Sequence, residues 1–198
     1  MSSHPNPIKQ AWHTVRRTAA RIWLNGLHPR VTQIAITGSY GKTSTTFPVY
    51  HLLTEHRSAV VTDVNLDTLY NIPITALKLR GEQYIVFEAG IDHVNEMTRH
   101  LEIMQPDISV ITGIAPVHAD VEHLGSVENI IREKRKLIEA LAPGTTAILH
   151  YDDPNVRDMA PFTQAEVVWY GLAPECHYRA ENVEAGPHAS AAVRTGKK

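Results

Sequence analysis

The chain has 198 residues, with 19 Lys and Arg against 21 Asp and Glu, a net charge of −2. That length builds one compact domain with a sizeable core, and the near-balanced charge excludes a whole-chain electrostatic affinity for nucleic acid. No run approaches the roughly 18 apolar residues of a membrane span. The N-terminus also lacks a long apolar run followed by a small-residue cleavage site. The single cysteine, Cys176, cannot form an internal disulfide, which suits a reducing compartment; a cytoplasmic location is the expectation.

Residues 1–6 read as an irregular start. Residues 7–25 read as a helix, with Ile8, Trp12, Val15, Ala19, Ile22 and Trp23 at three- and four-residue spacing. Lys9, Arg16, Arg17 and Arg21 occupy its other face, and Gly26 and Pro29 are its stop signals. Two readings stand for this segment: a helix packed on the domain through its apolar stripe, or a basic amphipathic helix at a membrane surface or partner. From residue 31 the pattern alternates. Strands are expected at 31–37, 58–62, 83–90, 109–112, 145–151 and 166–171. Helices are expected over 43–55, near 94–104 and from Ser126, a good N-cap, to about Leu141, with Pro143-Gly144 closing the last. Apolar strands alternating with helices predict an α/β fold, a mostly parallel sheet with helices on both faces. Residues 1–30 are taken as an N-terminal helix and linker, and 31–198 as the domain proper.

The densest chemical signal is Gly38-Ser39-Tyr40-Gly41-Lys42-Thr43-Ser44, set between a β-rich run and a helix. Glycines let backbone N–H groups and a helix N-terminus approach an anion closely, so this is the setting of a phosphate loop. Lys42 is placed for the β- and γ-phosphates of a nucleotide and the Thr43 hydroxyl for Mg²⁺. The widespread loop has its first glycine five residues before the second; that position is Ile36, and the spacing here is the shorter G-x-x-G-K-T.

The loop TGSYGKTS resembles the ATP loop of the Mur ligases, amide-forming enzymes that build the peptide of the bacterial cell-wall precursor. Further segments resemble the same family in the same order. Phe87-Glu88-Ala89-Gly90 is similar to the strand end whose Glu holds Mg²⁺. Ile114-Ala115-Pro116-Val117-His118 with His123-Leu124-Gly125-Ser126 is similar to the stretch whose His binds a second metal. Glu133-Lys134-Arg135-Lys136-Leu137 with Leu141 resembles a helix whose Lys is commonly carbamylated and bridges to metal, and Asp152-Asp153-Pro154 resembles the turn after the next strand. The His-Leu-Gly-Ser form looks most like the branch that adds D-alanyl-D-alanine to the UDP-muramoyl tripeptide.

The resemblance implies catalytic roles for Lys42, Glu88, His118 and Lys134, metal contacts from Thr43, Glu88, His118 and carbamylated Lys134, and ATP with Mg²⁺ as cofactors. The Leu141 spacing favours Lys134 over Lys136. Lys134 shares a helix face with Ile130, Ile131, Leu137 and Ile138, so partial burial would lower its pKa and favour the neutral amine that captures CO₂; Lys136 reads as solvated. Asn65-Leu66-Asp67-Thr68-Leu69-Tyr70-Asn71-Ile72-Pro73 resembles a loop that meets the growing peptide, with Asn65, Asp67 and Thr68 as substrate contacts. Here Asp67 replaces the family's Asn and Asn71 its Gly, where Asn would tolerate a positive φ.

The reaction implied is phosphorylation of a substrate carboxylate by ATP, then attack of an amine on the acyl phosphate. UDP-muramoyl peptide, or another carboxylate acceptor, and an amine are the implied substrates. Complete family members also have a UDP-sugar-binding N-terminal domain and an amine-bringing C-terminal domain. This chain therefore reads as the central ATPase domain, C-terminally incomplete, binding nucleotide weakly and not completing ligation alone. Two other readings are a ligase for a different poly-amino-acid product and a non-catalytic nucleotide-binding module.

Overall fold

The computed structural model describes residues 7–63, 68–116, 124–184 and 190–196. Its strands are β1 (Thr32–Thr37), β2 (Ala59–Val61), β3 (Tyr84–Glu88), β4 (Ile108–Ile111), β5 (Thr146–His150), β6 (Glu166–Gly171), β7 (Tyr178–Glu184) and β8 (Ser190–Thr195). They form one sheet in the order β2-β3-β1-β4-β5-β6-β7-β8. Neighbours from β2 to β7 run parallel, and β8 returns antiparallel to β7. The helices are α1 (Pro7–Arg21), α2 (Lys42–Thr54), α3 (Thr68–Ala76), α4 (Glu96–Leu101), α5 (Val127–Glu139) and α6 (Pro154–Arg157).

The direction of each step along the sheet decides which face each helix covers. A parallel crossover is right-handed, so reversing the step moves its helix to the opposite face. The connection from β1 to β2 steps outward past β3 and carries α2. Those carrying α3, α4, α5 and α6 all step the other way. Accordingly Val49 and Leu53 of α2 pack on Ile34, Ile36, Val86 and Val110. The larger core lies on the other face, where Ile72, Met97, Leu137, Ile138 and Val156 meet Ala35, Ile85, Phe87, Ile111 and Leu149. Helices do lie on both faces, but unevenly. The central strands are apolar on both sides, as β1 illustrates: every residue from Gln33 to Thr37 is buried.

Helix α1 reverses the expected faces. Trp12 is 68% exposed and Val15 57%, and Ile22 and Leu27 are also exposed. Toward the domain the helix turns His13, Arg16, Arg17 and Ala20. His13 stacks on Tyr70 with ring centroids 4.6 Å apart, Arg16 lies 5.0 Å over the same ring, and Arg17 pairs with Glu102 at 3.0 Å. Arg17 also donates to the Arg99 carbonyl. The surface offered by α3 and α4 at this point is an aromatic ring, a carboxylate and a carbonyl, which guanidinium groups satisfy and apolar side chains do not. Beyond Arg21 the chain winds as a π-helix, Ile22–Leu27, that continues through Gly26 and buries Leu24. Trp23 Nε1 donates to Leu79 O at 3.2 Å.

Residues 68–73, expected as part of a loop over 65–73, instead belong to α3, which runs on to Ala76. Its buried Ile72, Thr75 and Ala76 recur at helical spacing. Asn71 sits within this helix and is not among the positive-φ residues, so it does not stand in for a turn glycine. Its side chain instead donates to Asp63 O at 2.9 Å and accepts from Thr75 Oγ1 at 3.2 Å. Asn65 and Asp67 lie outside the described residues. Among the described residues no helix is long and apolar enough to cross a membrane.

Because Trp12 faces solvent and Leu24 does not, Trp12→Ser should change unfolding free energy by less than about 0.5 kcal/mol. Leu24→Ala should cost about 2–5 kcal/mol. Urea denaturation of the two variants checks this, and a larger loss for Trp12→Ser would restore the apolar stripe to the core side.

Candidate phosphate-binding site

Strands β3, β1 and β4 are neighbours, and their carboxyl ends carry the residues that the sequence singles out. Ligands of open parallel sheets bind at such an edge, where the chain departs in opposite directions from adjacent strands. The root of the loop is tied to both flanking strands. Thr37 Oγ1 donates to Ala89 O at 2.7 Å, and Thr112 N donates to Thr37 O at 3.0 Å. At Gly38 an added Cβ would collide with Thr112 Oγ1, so a side chain there would have to displace the hydroxyl that bonds Thr37 O and Tyr40 O. Gly41 has φ 76°, the left-handed conformation that turns the chain into α2.

The loop is further held by the segment after β4. Ser39 N donates to Gly113 O at 2.7 Å, Ser39 Oγ to Ala115 O at 3.0 Å, and Thr112 Oγ1 to Tyr40 O at 2.5 Å. That segment is in turn clamped by Asp153, which accepts from Ile114 N at 2.7 Å and caps α6 through Asn155 N and Val156 N. Asp152 accepts from Leu172 N and Ala173 N, fixing the turn after β6. Tyr170 donates to Thr112 O at 3.3 Å, and burial, then Tyr40 and Asp153, push its phenol up to about 12. Thr112 and Tyr170 are support residues that the sequence reading missed. The available signal was position alone: Thr112 closes the run ISVIT, as Thr37 closes VTQIAIT.

Four of the expected site side chains meet at the mouth of the loop. Lys42 Nζ donates to Gly38 O at 2.9 Å. Lys134, reaching from α5, donates to the same carbonyl, also at 2.9 Å. Thr43 Oγ1 donates to Glu88 Oε1 at 2.9 Å, joining the start of α2 to the end of β3 across 45 residues of sequence. Two ammonium groups at one carbonyl and the N-terminus of α2 concentrate positive potential, as anion binding requires. The adjacent hydroxyl and carboxylate are hard oxygen donors of the kind that hold Mg²⁺. Among the described residues no three His, Cys, Asp or Glu side chains form a metal cluster. His118 lies outside the described residues, as does its neighbour His123.

Helix α5 delivers Lys134 as the sequence implies. Ser126 caps it, accepting from Asn129 N at 3.2 Å, and Ile130, Leu137 and Ile138 bury the face that Lys134 shares. Lys134 is 3% exposed. Burial first, and then the charge of Lys42, lower its pKa to about 7, against a smaller opposing effect of Asp92. Lys136 is not solvated as expected. It donates to Glu133 Oε1 at 2.5 Å and Thr98 Oγ1 at 3.0 Å, tying α5 to α4.

The family model described as Mur ligase middle domain matches residues 36–197. The UDP-N-acetylmuramoyl-tripeptide–D-alanyl-D-alanine ligase of Borreliella burgdorferi is 36% identical over 107 residues, 54% of this chain and 23% of that protein. The enzyme of the same name from Mycobacterium bovis is 32% identical over 151 residues, 76% of this chain and 28% of that protein. The chain thus spans less than a third of the length of these relatives. Among solved structures, MurF from Acinetobacter baumannii has a TM-score of 0.84 at 24% identity, covering 92% of this chain and 40% of that one. MurF from Thermotoga maritima in complex with ADP has a TM-score of 0.82, also at 24% identity, covering 92% of this chain and 42% of that one. These likenesses establish the fold, including the mostly parallel sheet.

Lys134 makes stability depend on pH in a defined direction. Below about pH 7 it is charged in both the folded and the unfolded chain, and its burial penalty is fully present. Between about 7 and its ordinary 10.5 the unfolded chain binds the extra proton, so stability rises with pH over that window. Urea unfolding from pH 6.5 to 10 should show this rise in the wild type and a flatter profile in Lys134→Met. Equal slopes would contradict the lowered pKa.

Proposed function

Since the chain belongs to the Mur ligase family, whose middle domain it carries, we propose that it binds the polyphosphate of ATP on residues 38–44 and serves ATP-dependent amide ligation in peptidoglycan precursor synthesis. The observation that carries this reading is the contact of Thr43 with Glu88 beside Lys42, three side chains from two adjacent strand ends at one carboxyl edge. The acceptor is read as a UDP-muramoyl peptide and the amine as a D-alanyl-D-alanine dipeptide, following the relatives with that name. A cytoplasmic setting accords with those substrates.

The proposed chemistry is transfer of the γ-phosphoryl group from ATP to a substrate carboxylate, then displacement of phosphate by the amine. Backbone N–H groups of the loop and the N-terminus of α2 orient the phosphates. Lys42 neutralises charge on the β- and γ-oxygens, so that the carboxylate can approach. Thr43 and Glu88 would hold Mg²⁺, which when bound supplies further charge neutralisation at the phosphates. Lys134, with a pKa of about 7, has a substantial neutral fraction at physiological pH, the form that adds CO₂ to become a carbamate. A carbamate would replace one of the two cations at Gly38 with an oxygen donor set. Positioning of both reactants, rather than covalent chemistry by the protein, accounts for most of the proposed rate enhancement.

The metal role has a direct test. Glu88→Gln should weaken ATP binding about tenfold, about 1.4 kcal/mol, when Mg²⁺ is present and leave it unchanged in EDTA. An equal loss in both conditions would assign Glu88 a structural role instead. In a companion measurement, ¹³C-bicarbonate should give a carbamate resonance that Lys134→Ala removes and Lys136→Ala retains. Persistence of the resonance in Lys134→Ala would end that assignment.

A further inference from the structure

Away from the phosphate loop, α1, the first turn of α3 and the last turn of α4 enclose a cavity of about 450 Å³. His13, Arg16, Arg17, Tyr70, Arg99 and Glu102 line it. Three guanidinium groups thus face one carboxylate, and Arg17 takes that carboxylate at 3.0 Å. Arg16 and Arg99 have no ion pair among the described residues. Arg16 is nonetheless held in place: it lies over the Tyr70 ring, and its terminal nitrogen sits 3.1 Å from His13 Nδ1. Its Nε is buried and makes no hydrogen bond.

The surrounding charge has the same sign. The first acidic residue of the chain is Glu55, so the whole of α1 is free of carboxylates while it carries Lys9, Arg16, Arg17 and Arg21. The first turn of α3, a nine-residue helix, lines the cavity and adds the positive end of its dipole. A lone carboxylate would leave most of this volume empty. A phosphate group presents several oxygens to the two guanidinium forks, and the stacked His13–Tyr70 pair offers a flat wall to the group that bears it.

We propose that this α1–α3–α4 cavity is a second anion site that binds a phosphate-bearing ligand, with Arg16 and Arg99 as its charge partners. The site shares no residue with the phosphate loop and goes beyond the ligase reading. It also explains why α1 turns its arginines toward the domain.

The test uses Lys42→Ala throughout, so that the phosphate loop does not dominate the signal. Inorganic pyrophosphate is titrated into Lys42→Ala and into Lys42→Ala with Arg99→Gln, an exposed substitution that should leave the thermal melt unchanged. The expected result is binding that weakens at least tenfold with Arg99→Gln and that falls steeply with added salt. Arg16→Gln should produce a loss at least as large. In a parallel arm, vesicles of phosphatidylglycerol in phosphatidylcholine are compared with phosphatidylcholine alone. Arg99-dependent sedimentation with the anionic vesicles but no pyrophosphate binding would identify the phosphate as a lipid headgroup beside the exposed Trp12 and Val15. Pyrophosphate binding without vesicle binding would identify a soluble phosphate. Failure of both probes, or affinities unaffected by Arg99→Gln, would overturn the proposal.

Discussion

The architecture of the site depends on a single backbone position. Gly38 follows β1 directly, passes so close to Thr112 that a Cβ would collide with its hydroxyl, and offers its carbonyl to two lysines from different helices. A strand that ended one residue earlier or later would separate Lys42 from Lys134 and move Thr43 away from Glu88. The parallel register makes this placement possible. Ile36 is paired with Glu88, and Thr37 with Ile111, so the ends of three strands lie level along the edge. Around that point the supports are polar and redundant: Thr37 to Ala89, Thr112 to Tyr40 and Asp153 to Ile114. Buried hydrogen bonds of this kind confer positional precision more than net stability. The apolar core beneath, with Phe87, Ile111 and Leu137 buried, supplies the stability.

Lys134 illustrates how the two requirements conflict. Burying an ammonium group costs free energy, and the nearby Lys42 adds to that cost. A site built only for stability would place Leu or Met there. Perturbed lysines in a cleft are common where chemistry needs a neutral amine. The neighbouring Glu133–Lys136 pair, half of it 2% exposed, carries a second buried charge on the same helix turn.

Much of this was legible in the sequence, because the relevant patterns are local. The turn glycines, the apolar strands and the Ser126 cap each follow from nearest neighbours, and the strand, loop and helix order located the phosphate site. Other features depend on what an element meets. The periodicity of residues 7–25 identifies an apolar stripe, yet cannot reveal that the docking surface is Tyr70, Glu102 and a carbonyl; there the arginines win. Residues 68–76 contain Asn71 and Pro73, which argue for a turn. Burial of Ile72 and Ala76 against the sheet outweighs them. Lys136 looked solvated because two of its three partners, Asn95 and Thr98, are distant in sequence, and only Glu133 is local. The closing hairpin of β7 and β8 has no strong alternation, since both of its faces are largely exposed.

The measurement that bears most directly on the account is calorimetric titration of Mg²⁺·ATP into the wild-type chain and into Lys42→Ala, with thermal melts confirming that both are folded. The account predicts saturable binding by the wild type and at least a tenfold loss in the variant, about 1.4 kcal/mol. Binding of equal strength by the two proteins would contradict a phosphate site organised on Gly38 and its lysines.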